Sequence, residues 1–303
     1  MDFIKRIVNK LPYVRGLYQR DKLYRDNAHF LPGHFYSVIP NLEEVRNDQS
    51  RIWKGIETDG IDAIDLNTET QKKLLAEINK YYSEIPFKDD LEDNLRYHFN
   101  NPYYLYTDGI VLYGMLRHLK PNRVIEVGSG YSSALMLDVN DLFFDSNIGF
   151  NFIEPYTERL EMLINQGDKE NVSILKSRVQ DVDLEYFKSL KENDILFIDS
   201  THVSKCGSDL NYLLFEVLPV LNEGVYIHFH DIFYPFEYPK NWVFKGYNWN
   251  ENYLLRAFLM NNKDYSIQVF AHYLHMHHKD VYTDMPLAYK NTGGNLWLRK
   301  EKQ

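Results

Sequence analysis

The sequence predicts an α/β protein: a doubly wound, mostly parallel, seven-stranded sheet with an N-terminal helical extension. Three observations predict it. From about residue 101 onward, short apolar runs rich in β-branched and aromatic residues alternate with helix-length amphipathic segments, which demands βαβ crossovers. The runs lack the polar alternation of a strand with one wet face, so the sheet is covered on both sides. The first run ends in a glycine pair that opens directly into a helix, as a tight strand-to-helix turn requires.

The elements follow in order. Residues 1–100 form the extension and 101–303 the α/β domain. Among the first 25 residues, Lys5, Arg6, Lys10, Arg15, Arg20, Lys22 and Arg25 face only Asp2 and Asp21, and Phe3, Ile4, Ile7, Val8 and Leu11 recur at helical spacing. Such a helix either packs on the main body or a partner subunit, or makes a peripheral contact with an anionic membrane. Pro32, Gly33, Pro40, Gly55 and Gly60 mark an irregular stretch over 30–60. A helix is expected from Thr68 to Tyr82, capped at Asn67 or Thr68, with Leu74, Leu75 and Ile78 on its inner face. Another runs from Thr107 to Leu119, closed by Lys120 and Pro121.

Strands are expected at Arg123–Val127, Phe150–Ile153, Val172–Lys176, Asp194–Ile198, Val225–Phe229, Ile267–Phe270 and Leu296–Arg299. Helices are expected at Ser132–Leu137, Thr157–Gln166, Leu184–Leu190, Leu210–Leu218 and over 252–260.

Composition narrows the function classes. The chain has 303 residues, 44% of them apolar, enough for a sizeable core. The net charge of −9 disfavours nucleic acid as a partner. Cys206 is the single cysteine, so no internal disulfide framework or cysteine-based metal cluster exists. With no signal peptide or transmembrane run in the sequence, a cytoplasmic location is expected, peripheral to the membrane if the N-terminal helix binds lipid.

The strongest local signal is Glu126-Val127-Gly128-Ser129-Gly130-Tyr131-Ser132. A strand ends in a carboxylate and two glycines, and the following helix offers free N–H groups at its start. The next strand ends at Glu154, where a carboxylate can take both hydroxyls of a ribose. The third leads to Gln180 and Asp181, which carry groups suited to an adenine amine. All three lie at strand C-termini, where open α/β sheets bind ligands.

This order of features resembles the class I S-adenosylmethionine-dependent methyltransferases over about residues 100–235. The resemblance implies a Rossmann-like methyltransferase fold and S-adenosyl-L-methionine as cofactor, held by Glu126, Gly128, Ser129, Gly130, Glu154, Gln180 and Asp181. The departure is a turn with two glycines rather than three.

Strand four ends Asp199-Ser200-Thr201-His202 and strand five ends His228-Phe229-His230-Asp231. Asp199, His230 and Asp231 are a candidate set for Mg²⁺ or another divalent cation, the histidine favouring Mn²⁺, Fe²⁺ or Zn²⁺. His202 has the ordinary pKa of a general base near neutrality. The arrangement resembles the metal-assisted sugar O-methyltransferases of the macrocin type. That likeness implies His202 as base with Asp199 beside it, and a small-molecule or glycan acceptor. The pair His230-Asp231 departs from the two carboxylates of that group. The aromatic stretch Phe233, Tyr234, Phe236, Tyr238, Trp242 and Trp249 suits an acceptor wall, a lid or a subunit contact in a homo-oligomer. His272, His275, His277 and His278 read as a solvated loop rather than a second metal site. Rival functions are a nicotinamide-dinucleotide-dependent oxidoreductase, a metal-dependent hydroxylase on the same scaffold, and a non-enzymatic assembly or membrane-surface protein.

Overall fold

The computed structural model describes residues 12–168 and 172–301, in two units that divide between Ile52 and Trp53. Phe3, Ile4, Ile7, Val8 and Leu11 lie outside the described residues. In the first unit, helix α1 (Pro12–Asn27) buries no side chain. Asn41 caps helix α2 (Leu42–Asn47), its Oδ1 accepting the Glu43 amide at 3.0 Å.

The second unit begins well before residue 101. Helix α3 (Thr68–Asn79) buries Leu74, Leu75 and Ile78 against the sheet and against helix α4 (Tyr106–Leu119). The expected domain boundary near residue 100 therefore falls inside one packed body. Gly114 of α4 lets the two helices approach, because a Cβ there would lie 2.7 Å from the Ile78 side chain.

From Arg123 the predicted alternation is present: β1 (Arg123–Val127), α5 (Tyr131–Phe143), β2 (Gly149–Ile153), α6 (Glu158–Leu163), β3 (Val172–Leu175), α7 (Leu184–Lys188) and β4 (Ile195–Ile198). A helical segment follows, starting with α8 (Asp209–Tyr212), then β5 (Tyr226–Phe229), α9 (Lys240–Lys245), α10 (Glu251–Leu259), β6 (Tyr265–Phe270), α11 (Ala271–His277) and β7 (Leu296–Lys300). The seven strands lie in the order β3-β2-β1-β4-β5-β7-β6, and β7 alone runs against its neighbours. Strands β4 and β5 are buried at every position, as apolar runs covered on both faces should be.

Register decides where the site can be. Val127 pairs with Ile153 on one side and Ile198 on the other, and Ile198 pairs with Phe229. The C-terminal ends of β2, β1, β4 and β5 thus form one rim. The strand order reverses between β1 and β4, so the loops after these strands diverge and leave a crevice.

Two histidine-rich or aromatic stretches differ from expectation. The histidine tract is mostly helix α11, not a loop. His275 is buried and stacks on Tyr282 at 4.1 Å, and His272 Nδ1 accepts the Tyr234 amide at 3.0 Å. Burial lowers both imidazoles to about 4, so they are neutral packing groups. Tyr234, Phe236 and Tyr238 are core residues, so most of the aromatic stretch forms no open wall.

Candidate active site

The glycine turn is built by three contacts. Gly128 has φ +81° and lies so close to β4 that a Cβ would sit 1.9 Å from the Asp199 carbonyl oxygen. Only glycine fits there. Its amide donates to the Ile153 carbonyl at 3.1 Å, continuing the sheet into the turn. Ser133 Oγ accepts the Gly130 amide at 3.0 Å and donates to the Glu126 carboxylate.

Glu126 is fully buried beneath this turn and accepts a second hydroxyl, Ser132 Oγ, at 2.5 Å. Burial raises its carboxyl to about 8, with the serine hydroxyls pulling the other way. Glu126 does not reach the crevice. Its expected contact with a cofactor is corrected to a supporting role, because both its oxygens are taken by the helix that follows.

Two contiguous cavities open along the rim. One, of about 350 Å³, is lined by Gly128, Glu154, Arg178, Val179, Gln180 and residues 199–201, among others. The second, of about 360 Å³, is lined by Ser129, Gly130, Tyr103, Tyr104, Arg159, His202, His230, Asp231 and Trp249. Gly128, Glu154, Asp199, Ser200 and Thr201 line both. Glu154 is held at the junction: its Oε2 accepts the Ser129 amide at 3.2 Å and its Oε1 the Tyr156 amide at 2.7 Å. Each carboxylate oxygen keeps a free lone pair for a ligand hydroxyl. The Ser129 and Ser200 hydroxyls are buried and unpartnered within the described structure, both on cavity walls.

Beyond the junction lies a buried charge cluster. His202 Nδ1 is 2.7 Å from Glu251 Oε2. Its Nε2 is 3.4 Å from Asp199 Oδ1 and 3.7 Å from Asp231 Oδ2. His230 Nε2 is 3.6 Å from Asp231 Oδ1. Burial opposes a charged His202, but hydrogen bonds with Asp199 and Glu251 outweigh it and hold the imidazole well above its ordinary pKa. Burial likewise opposes charge on His230, and Asp231 and Asp199 outweigh it. Burial lifts Asp231 to about 6, whereas the neighbouring His230 and His202 overcome burial at Asp199 and keep it below the usual carboxylate range.

A family described as "Methyltransferase domain" matches residues 125–232, the span from β1 to the end of β5. A protein of Archaeoglobus fulgidus, itself uncharacterised, is 37% identical over 171 residues, covering 55% of this chain and 76% of the relative. Over residues 125–232 the chain carries a methyltransferase domain. Solved structures similar to it include the methyltransferase PaMTH1 of Podospora anserina bound to S-adenosylhomocysteine. It is 14% identical, has a TM-score of 0.43, and the match covers 91% of this chain and 100% of that one. Another is the O-methyltransferase TomG of Streptomyces achromogenes in complex with S-adenosylmethionine. It is also 14% identical with a TM-score of 0.43, over 86% of this chain and 97% of that one.

In this methyltransferase the rim brings together Gly128, Ser129, Gly130, Glu154 and Gln180 as expected, and places Asp199, His202, His230 and Asp231 beside them. Asp181 is not among them. Arg178, which lines the first cavity, takes both its oxygens at 2.9 Å, and Asp181 itself faces a separate depression. The expected metal set is not assembled either: among the described residues, no group of three His, Cys, Asp or Glu side chains stands ready to hold a metal ion. The His202 ring reaches both carboxylates that were to share the cation. Sequence reading missed Glu251, Arg159, Tyr103 and Tyr104. Glu251 opens a helix, where an acidic residue reads as an ordinary dipole partner.

Proposed function

We propose that this methyltransferase moves the methyl group of S-adenosylmethionine to a hydroxyl oxygen of a small-molecule or glycan acceptor. The carrying observation is the pair of cavities sharing Gly128, Glu154 and Asp199, with a buried imidazole on the far side of the junction. The donor fits the first cavity and the junction. Gly128 admits a ligand against the backbone, Glu154 offers lone pairs to ribose hydroxyls, Gln180 meets the base, and the unpartnered Ser129 and Ser200 hydroxyls await polar atoms. When bound, the donor supplies an electrophilic methyl carbon on a cationic sulfur.

The chain's own work is alignment and proton removal. The acceptor oxygen attacks the methyl carbon, the carbon–sulfur bond breaks with its electron pair returning to sulfur, and His202 Nε2 takes the hydroxyl proton. Asp199 and Asp231 then stabilise the imidazolium. Because those carboxylates favour the protonated ring, His202 must first lose a proton to act as base, so the rate rises with pH into the alkaline range. Proton removal is assigned to His202, whose Nε2 stands 3.4 Å from Asp199 and 3.7 Å from Asp231.

The test is calorimetric titration with S-adenosylhomocysteine and, separately, with NAD. Binding of the first and not the second is expected, and a flat trace with S-adenosylhomocysteine sinks the reading. His202→Gln should retain that binding and lose methyl transfer by about 100-fold or more.

The basic N-terminal segment supports a peripheral contact with an anionic lipid surface. Within residues 1–40, seven lysines and arginines face Asp2, Asp21 and Asp26, in a chain whose net charge is −9. On α1, Tyr13, Leu17 and Leu23 are exposed beside Arg15, Lys22 and Arg25. Co-sedimentation with phosphatidylserine-containing vesicles is expected, reduced by reversing Arg15, Arg20 and Lys22 to glutamate. Equal partition onto neutral vesicles contradicts it. Among the described residues no helix is long and apolar enough to cross a membrane. The exposed lone thiol of Cys206 suits the reducing cytoplasm proposed as its location.

A further inference from the structure

We infer that Glu251 is the positioning residue for His202: its carboxylate, 2.7 Å away, takes the Nδ1 proton, so that Nε2, at the longer distances of 3.4 Å from Asp199 and 3.7 Å from Asp231, is the nitrogen presented to the cavity. The inference rests on the reading of His202 as the proton acceptor.

Both partners are out of water, Glu251 being 1% and His202 5% exposed, and they stand 2.7 Å apart. Glu251 Oε1 has no other hydrogen-bond partner in the described structure, so the carboxylate is committed to the imidazole through Oε2. The start of α10 grips the same residue a second time. The amides of Asn250 and Glu251 both donate to the His202 carbonyl, at 3.1 and 3.2 Å. Asn250 Oδ1 accepts the Ser204 amide at 2.6 Å, fixing the loop just beyond. His202 has φ +60°, a conformation that a non-glycine residue keeps only where its surroundings over-determine it. Trp249 closes the arrangement, its ring centroid 4.4 Å from that of His202.

A neutral imidazole has one N–H and one lone pair, and a neighbour decides which nitrogen carries which. A carboxylate accepts and cannot donate, and Glu251 stands 2.7 Å from Nδ1 whereas Asp199 and Asp231 stand 3.4 and 3.7 Å from Nε2, so the single proton of the neutral ring goes to Nδ1. Nε2 then faces Asp199 from the end of β4 and Asp231 from the end of β5, with His230 behind. A proton taken from the acceptor arrives between two carboxylates, while Glu251 supports the charge from the opposite edge. A merely structural ion pair would leave the tautomer and the rate-determining protonation unaffected by replacing carboxylate with amide.

The variant is Glu251→Gln, whose amide can donate to Nδ1 and so reverse the preference. The imidazole ¹⁵N spectrum of the full chain, assigned by difference with His202→Gln, reads the tautomer without any acceptor. In the wild type above the His202 pKa, an Nδ1-protonated signature is expected. An Nε2-protonated signature overturns the proposal, even if the variant does not fold. In folded Glu251→Gln, four outcomes are expected together. The signature shifts toward Nε2–H, the rising limb of the pH–rate profile moves to lower pH, kcat at its plateau falls by about 100-fold, and S-adenosylhomocysteine affinity stays within about twofold. An unchanged signature, or a plateau kcat within about threefold of wild type, overturns it. A wild-type protein that transfers no methyl group to any hydroxyl offered defeats the reading of the preceding subsection instead, and the spectrum alone then decides the role of Glu251.

Discussion

At the residue scale, two carboxylates at neighbouring strand ends have opposite fates, set by the partners each meets. Glu154 receives two backbone amides, which orient it and leave lone pairs directed at the crevice. Asp181 meets Arg178, one helical turn earlier, and is spent on an exposed ion pair. Charge-assisted hydrogen bonds contribute about 1.5–3 kcal/mol each where they are sheltered. Glu154→Gln should therefore weaken S-adenosylhomocysteine about 10- to 100-fold by calorimetry, while Asp181→Asn leaves it within about twofold. Equal losses in both variants would return Asp181 to the donor site. The glycine turn, Glu154 and Gln180 are legible in the sequence because strand-end position alone places them. The fate of Asp181 is not, although the Arg178–Asp181 spacing is a signal for it. Glu251 is illegible for a different reason: it lies 49 residues from His202, and nothing local announces that α10 docks on that loop.

At the scale of elements, α5 carries the glycine turn into the body of the protein, and one buried cation holds it there. Arg96 donates to Asp138 on α5 at 2.7 Å and to Asp168 at 2.5 and 2.8 Å, with its side chain only 7% exposed. The amides of Arg96 and Tyr97 also donate to Asp138, at 2.9 Å each to Oδ2. Removing the cation leaves two sheltered carboxylates unpaired, which costs about 3–5 kcal/mol. Arg96→Met should lower Tm by about 10 °C in a scanning calorimeter. A further Asp138→Asn change should recover part of the loss, because the two sites share one network. A Tm within about 2 °C of wild type would show that the network is dispensable. Strands were the easiest elements to read, since β4 and β5 are buried at every position and β1 at all but its first, which favours apolar runs. Helix ends were harder. The helix expected over 210–218 passes through a π-helical turn at Leu213–Val217, just before Pro219, which has no amide to continue an α-helical ladder. The helix expected to reach Gln166 stops at Leu163, and Asp168 then takes the Asn165 amide at 2.6 Å.

At the scale of the whole molecule, the chemistry of the rim leaves a signature in stability. Glu126, Asp231 and Glu251 have carboxyls raised first of all by burial, while His202 and His230 are raised by carboxylates that overcome burial. A carboxyl with a folded pKa above its unfolded value binds a proton on folding, so its contribution falls as pH climbs between the two values. A histidine raised on folding stabilises fully below its unfolded pKa and loses that contribution as pH rises through its folded one. Both effects have the same sign. Asp199, lowered on folding, acts only on the acid side, where its contribution is lost as pH falls through its folded pKa. His228, His272 and His275, lowered by burial, have the opposite sign and lose their contribution as pH falls below about 6.5, so stability should be greatest near neutrality and decline toward alkaline pH, where the deprotonated base is needed for turnover. For Glu126 the window runs from the model value of 4.5 to about 8. Each proton in such a window changes stability by about 1.4 kcal/mol per pH unit, or about 3–5 °C in Tm. Between about pH 7 and 8, where the unfolded histidines are largely neutral, Tm should fall, and Glu126→Gln should remove one proton's share of that fall. A wild-type Tm that is flat across this window, or a slope unchanged in Glu126→Gln, would mean that the carboxyl beneath the glycine turn is ionised in the folded protein.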